Sequence, residues 1–177
     1  MSLEERIRQE RTDNQKMEQF IDSVISEMSI RAKAGQMMQV NETFFDPGNQ
    51  ENEEATGGQT QSLDSAKFAN TIREYQVGSI LSGGARTGRE WYDMIHKLQK
   101  INMEQSENGI PFIFGIDHVH GTNYLKNGTV FPHEINVAAT FDTTFSYQTG
   151  LVTAREAAPL GQRWNFAPIL DLGRTKI

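Results

Sequence analysis

An unbroken apolar run, Pro111-Phe112-Ile113-Phe114-Gly115-Ile116, constrains this chain more than any other feature. A strand with one wet face alternates apolar and polar residues. A continuous run belongs instead to a strand covered on both sides, the usual state in parallel sheets flanked by helices. The surrounding pattern agrees. Strands are predicted at Met37–Val40, Val77–Leu81, Pro111–Ile116, Asn136–Thr140 and Trp164–Leu172. Helices are predicted between them over Asp64–Tyr75, Thr87–Glu107 and Thr143–Leu160. This alternation implies βα units and a parallel sheet, either doubly wound or closed into a barrel.

Ahead of the first strand, Met17, Phe20, Ile21, Val24, Ile25 and Met28 recur at helical spacing and predict a helix over 15–28. Residues 1–15 are charged and weakly periodic, a frayed segment before a domain at 16–177. Ser29 is placed to cap a short helix, "IRAKAGQ". Asp46–Ser62 has almost nothing to bury and reads as a long polar loop, and Gly83-Gly84 as a short one.

Composition excludes several functions. A net charge of -6 gives no electrostatic footprint for nucleic acid or an anionic membrane. No apolar run approaches the ~20 residues of a membrane helix. "MSLEERIRQERTDNQ" carries charges where a secretory leader needs an apolar stretch, so no signal peptide is read there. The absence of cysteine removes disulfides, thiolate metal sites and cysteine nucleophiles. No G-x-G-x-x-G follows a strand, and no cofactor is expected.

In both candidate architectures, functional residues stand at the carboxyl ends of strands. Asp117 and Arg174 occupy such positions. A carboxylate at the end of an apolar strand needs hydrogen-bond donors, and substrate hydroxyls are good ones. An arginine past a strand end can donate to ligand oxygens, at about 1.5–3 kcal/mol per charged bond. His118-Val119-His120 is an H-x-H pair, which a metallohydrolase could use. Such a site needs further ligands, and of the other histidines His96 falls inside a predicted helix. No metal site is expected; the two histidines read as holding the strand end to neighbouring loops. Asp171 reads as an internal salt bridge or cap, and Glu156 as solvated or paired with Arg155 or Arg163. Trp164 and Phe166 read as core packing.

The segments "GIDHVHGTNYLKNGTVFPHEINVAATFD" and "TAREAAPLGQRWNFAPILDLGR" resemble the N-terminal domain of glycoside hydrolase family 3, in its β-glucosidase and exo-β-glucanase branch. "SEMSIRAKAGQMMQ" is similar to an early segment of the same family. The resemblance implies a (β/α)₈ TIM barrel and retaining hydrolysis of terminal non-reducing β-D-glucosyl residues, with a β-glucoside or β-glucan oligosaccharide as partner. It matches Asp117 and Arg174 to ligands of the terminal glucose, and His120 and Gly121 to the loop that presents Asp117. After Arg174 the family continues D-P-R-W, whereas this sequence reads "TKI". The family's sugar-binding Lys-His pair, nucleophilic aspartate and acid/base residue lie beyond that point. A closed barrel needs eight strands and typically ~250 residues, so about five strands in 177 residues suggest a partial barrel. The expectation is a β-glucosidase-type chain that is inactive alone. The alternative is a non-catalytic sugar-binding or assembly fragment, prone to self-association through its incomplete barrel.

Overall fold

Strands β1 (Gln39–Asn41), β2 (Ser79–Leu81), β3 (Ile113–Ile116) and β4 (Trp164–Asn165) form one parallel sheet in that order. The structure, a computed structural model, describes residues 3–45, 63–81 and 84–169. The expected loop at Asp46–Ser62, the Gly83 half of the glycine pair, Asp171 and Arg174 lie outside the described residues. Helix α1 (Leu3–Glu27) and helix α2 (Ile30–Gln36) precede the sheet. The crossovers carry α3 (Ser65–Tyr75), α4 (Gly88–Gln105), and the pair α5 (Glu134–Ala138) and α6 (Thr143–Ala157). Strands that are neighbours in both chain order and space, each joined through a helix, build the wall of a TIM-type barrel.

The helices start where side chains can satisfy their free N–H groups. Ser29 accepts from the Ala32 amide, and Asp64 from the amides of Ala66 and Lys67. Thr87 and Glu90 close a capping box at the start of α4. Asp142 caps α6 through the Thr144 amide.

Three sequence expectations are corrected. The helix placed at 15–28 begins at Leu3, about three turns earlier. Its first half, "EERIRQERTDNQK", is rich in strong helix formers, and Gln9 donates to the Asp13 carboxylate one turn on. The strand expected at Asn136–Thr140 is helical instead: the amides of Asn136 and Val137 both return to the His133 carbonyl, and α5 follows. Four described strands therefore stand where about five were expected. Of the strand expected over Trp164–Leu172, residues 170–172 lie outside the described residues, and among the described ones strand is assigned at Trp164–Asn165. One more ladder-like bond runs from the Phe166 amide to the Ile116 carbonyl, and then Pro168 has no N–H to offer.

Register divides the sheet into two faces. Val40, Ile80 and Phe114 align across three strands, and Phe114 meets Trp91 of α4 edge-on at 5.6 Å. This face is the core, where Ile72, Ile80, Trp91 and Leu98 are fully buried against α3 and α4. Each such side chain contributes about 1.5–3 kcal/mol. On the opposite face Gly115 aligns with Trp164, and Ile113 is 49% exposed. Trp164, expected in the core, is 44% exposed because its register partner Gly115 places it on this open side. Phe166 does pack, with its ring seated over Gly115 where a Cβ would collide with it.

Two glycines separate backbone packing from helix propensity. A Cβ at Gly35 would collide with the Tyr75 carbonyl, whereas one at Gly150 would meet nothing within 4 Å. Gly35→Ala is expected to lower stability by about 1–3 kcal/mol. Gly150→Ala is expected to raise it by about 1 kcal/mol. Urea unfolding midpoints of the two variants should therefore move in opposite directions.

Candidate functional site

Past Ile116 the two-residue alternation continues and separates Asp117 from His118. Asp117 follows the open-face positions Ile113 and Gly115, and it is exposed. His118 follows Phe114 and Ile116 toward the helices and is 1% exposed. The adjacent pair "DH" is thus split, one side chain into solvent and one into the interior.

His118 is held from two sides. Its amide donates to Asn165 Oδ1 at 2.9 Å, and Asn165 Nδ2 returns a bond to the His118 carbonyl at 3.2 Å. Its ring pairs Nε2 with Gln162 Oε1 at 3.0 Å and lies tilted against Tyr124. Burial pulls its pKa below the ordinary 6.5, outweighing hydrogen bonds to Gln162 and Asn123 and the charges of Glu156 and Asp117. A neutral ring then donates from Nε2 to Gln162.

The loop after β3 folds back on itself. Gly121 has φ +99°, and a Cβ there would collide with the Thr129 carbonyl, so this turn requires glycine. The Thr122 amide donates to the Thr129 carbonyl at 2.8 Å, and the Phe131 amide to the His120 carbonyl at 2.8 Å. Asn123, with its amide oriented to suit its neighbours, donates to the carbonyls of Gly121 and Asp117. Glu156 reaches across from α6 and accepts from the Thr122 hydroxyl, the Thr129 amide (2.9 Å) and the Thr129 hydroxyl (2.6 Å). The sequence reading of Glu156 as solvated or arginine-paired is therefore corrected: three donors from one loop surround it. Partial burial opposes its charge, but the Thr122 and Thr129 bonds outweigh burial, and its pKa lies below the ordinary 4.5.

A second connection was not read from the sequence. Glu42, just past β1, and Arg86, in the segment after β2, form a buried ion pair. The Arg86 guanidinium lies 4.6 Å from the Trp91 ring centroid. Its amide donates to the Tyr124 carbonyl at 3.1 Å, and its carbonyl accepts from Lys126 at 2.7 Å. Glu42, Arg86, Gln162 and Asn165 act here through contacts distant in sequence, and Asn123 through the carbonyls of Gly121 and Asp117 in its own loop. The one local signal was at Asn165, a polar residue between the two aromatic side chains of "WNF".

His118 and His120 do not converge as metal ligands would. His118 meets Gln162 and Tyr124, while His120 faces the His133 ring at 4.7 Å. Among the described residues no three metal-ligating side chains come together. A cavity of about 390 Å³ lies beside His118, His120, Thr153 and Asn165, but Asp117 does not line it. A larger groove of about 660 Å³ runs between α1 and Ile110-Pro111, ahead of β3 and away from Asp117. What remains at the open carboxyl end is an exposed carboxylate on a braced loop, able to accept hydrogen bonds from hydroxyl groups. Arg174, the other expected ligand, lies outside the described residues.

The depressed pKa values of His118 and Glu156 set a pH dependence. The unfolded chain takes up a proton at His118 near 6.5 that the folded chain resists, so stability falls as pH drops below 6.5. Glu156 stabilises the fold above 4.5, and that contribution is lost as pH falls further. Thermal unfolding of His118→Gln should lack the first decline and keep the second. Glu156→Gln should show the reverse.

The model of the Glycosyl hydrolase family 3 N terminal domain matches residues 29–176. The chain is 35% identical over 164 residues to the lysosomal beta glucosidase of Dictyostelium discoideum, covering 87% of this chain and 19% of that protein. Among solved structures it is similar to the exo-1,3/1,4-beta-glucanase ExoP of a Pseudoalteromonas species. That match has 27% identity and a TM-score of 0.65, covering 85% of this chain and 17% of that one. A beta-glucosidase from Listeria innocua, solved with isofagomine, shares the fold at 23% identity and a TM-score of 0.61, over 87% of this chain and 18% of the other. The chain thus spans less than a quarter of the length of each of these relatives.

Proposed function

Because the chain belongs to the glycosyl hydrolase family 3 N-terminal domain family, we propose that it carries part of the glucose-binding subsite of a retaining β-glucosidase. Asp117 accepts hydrogen bonds from hydroxyls of the terminal sugar, and Arg174 is the second ligand in this reading, as a donor to sugar oxygens. His120 and Gly121 shape the loop that presents Asp117. The substrate class is a β-glucoside or β-glucan oligosaccharide, after the glucosidases and the glucanase that the chain is similar to. The carrying observation is that Asp117 is exposed at the carboxyl end of β3 while His118 beside it is buried and braced. A carboxylate carried on a main chain held in this way meets a sugar hydroxyl with no ordering cost for the loop.

In this reading the described residues do not by themselves complete the hydrolytic step. Retaining hydrolysis requires two carboxyl groups ~5–5.5 Å apart. Glu42 is engaged by Arg86 and Glu156 by Thr122 and Thr129, so neither is offered as nucleophile or acid. The purified 177-residue chain is expected to release no 4-nitrophenol from 4-nitrophenyl β-D-glucopyranoside. It should still bind D-glucose, with Asp117→Ala weakening binding about tenfold or more. Turnover that disappears in Asp117→Ala would refute the non-catalytic part of this reading; glucose binding unchanged in that variant would refute the sugar-binding part.

A second reading, an assembly fragment, is favoured by the open sheet face with Ile113 and Trp164 about half exposed. Exposed apolar surface of this kind favours association. Light scattering is expected to show oligomers that grow with concentration; a monodisperse monomer at every concentration would count against it.

A further inference from the structure

The loop after β3 is joined to β1 through a path of named contacts. Glu42 is fully buried and Arg86 is 8% exposed, and they pair where the chain leaves β1 and β2. The Arg86 guanidinium also lies over Trp91, whose Nε1 donates to the Tyr124 carbonyl at 2.9 Å. That same carbonyl accepts from the Arg86 amide, while Lys126 donates to the Arg86 carbonyl. Tyr124 lies against the His118 ring, and the preceding residue, Asn123, donates to the Asp117 carbonyl. The path therefore runs from the end of β1, through an ion pair and a ring, to the main chain of the residue proposed to bind sugar.

We propose that Arg86, fixed by Glu42 and Trp91, is a positioning residue for the Asp117 loop. The inference rests on the reading of Asp117 as a sugar ligand. It goes beyond that reading by assigning a role to residues away from the sugar. An arginine suits the position because one planar cation can meet a carboxylate at its edge and an indole on its face. A lysine ammonium cannot do both. Arg86 touches no substrate in this scheme; it sets where residues 123–126 lie, and through Asn123 where Asp117 is held.

The test compares Arg86→Lys, the double variant Glu42→Met with Arg86→Met, and Asp117→Ala, each in the full chain. Three quantities are read: the urea midpoint, amide exchange at Leu125 and Lys126, and D-glucose affinity by amide chemical shifts. Replacing both partners leaves no charge buried alone, so the double variant should keep a midpoint near that of the parent. Exchange at Lys126 should nevertheless rise about tenfold, and glucose affinity should fall about tenfold. Arg86→Lys should show the same two changes and serves as the second variant if the double one does not fold. Parental loop exchange and glucose affinity in a folded Arg86 variant would overturn the proposal. Glucose binding unchanged in Asp117→Ala would instead remove the sugar reading, leaving loop exchange in the Arg86 variants to decide the positioning role.

Discussion

The two-residue alternation of β3, across a sheet whose two faces are packed unequally, is the constraint on which this end of the molecule depends. Phe114 and Ile116 are 1% exposed because α4 covers their side, with Trp91 edge-on to Phe114. Ile113 and Gly115 must then point the other way. Extending the alternation two residues carries Asp117 to the open side and His118 to the packed one. A one-residue register slip would reverse every one of these assignments. It would bury the Asp117 side chain among apolar ones, so the core that stabilises the fold also fixes which polar residue is presented.

Presentation further requires that the loop stay where the strand leaves it. Three different elements hold it. Asn165 of β4 clamps the His118 main chain, Glu156 of α6 gathers Thr122 and Thr129, and Arg86 holds Tyr124 and Lys126. Bonds to charged groups such as Glu156 contribute about 1.5–3 kcal/mol, less where water screens them. The buried Glu42–Arg86 pair is different in kind. Desolvation offsets most of its attraction, while removal of one partner costs about 3–5 kcal/mol because the other stays buried and charged. Its value is geometric: it tolerates few arrangements, so it specifies one.

Features carried by local periodicity were legible in the sequence. The apolar run at 111–116 announced a strand, found at Ile113–Ile116 with Ile113 half exposed rather than covered on both faces, and Ser29, Asp64 and Thr87 marked helix starts that the structure shows as caps. Segments short enough for either state were not legible. "NVAAT" contains one β-branched apolar residue and two alanines, and the carbonyl of His133 decided it in favour of a helix. At the site, Asp117 stood out because a charge after an apolar strand is rare and has few uses. Glu156 and Arg86 were misread or missed because their partners lie 27 to 44 residues away. Nothing in local spacing encodes that a threonine pair or a glutamate will arrive. Trp164 was misread because an aromatic strand residue is usually buried, and only its register with Gly115 puts it on the open face.

The strength of burial is uneven along the sheet. Helix α4 buries Trp91, Ile95, Leu98 and Asn102, whereas α6 buries only Thr153 and Ala157 among its described residues. Around α6, Ile135, Phe141 and Tyr147 are 68–96% exposed, so little apolar area holds this region to the sheet. Its attachment relies more on directed polar bonds, with Glu156 foremost. Polar attachment is short-ranged and sensitive to protonation, whereas apolar burial is neither. The Thr122–Thr129 turn and the docking of α6 therefore form and loosen together, since the same carboxylate serves both. Arg86 reaches the loop from the well-packed side, through Trp91, and its hold does not depend on α6. With one anchor in the well-buried half and one in the less-buried half, the segment nearest Asp117 is held from two sides.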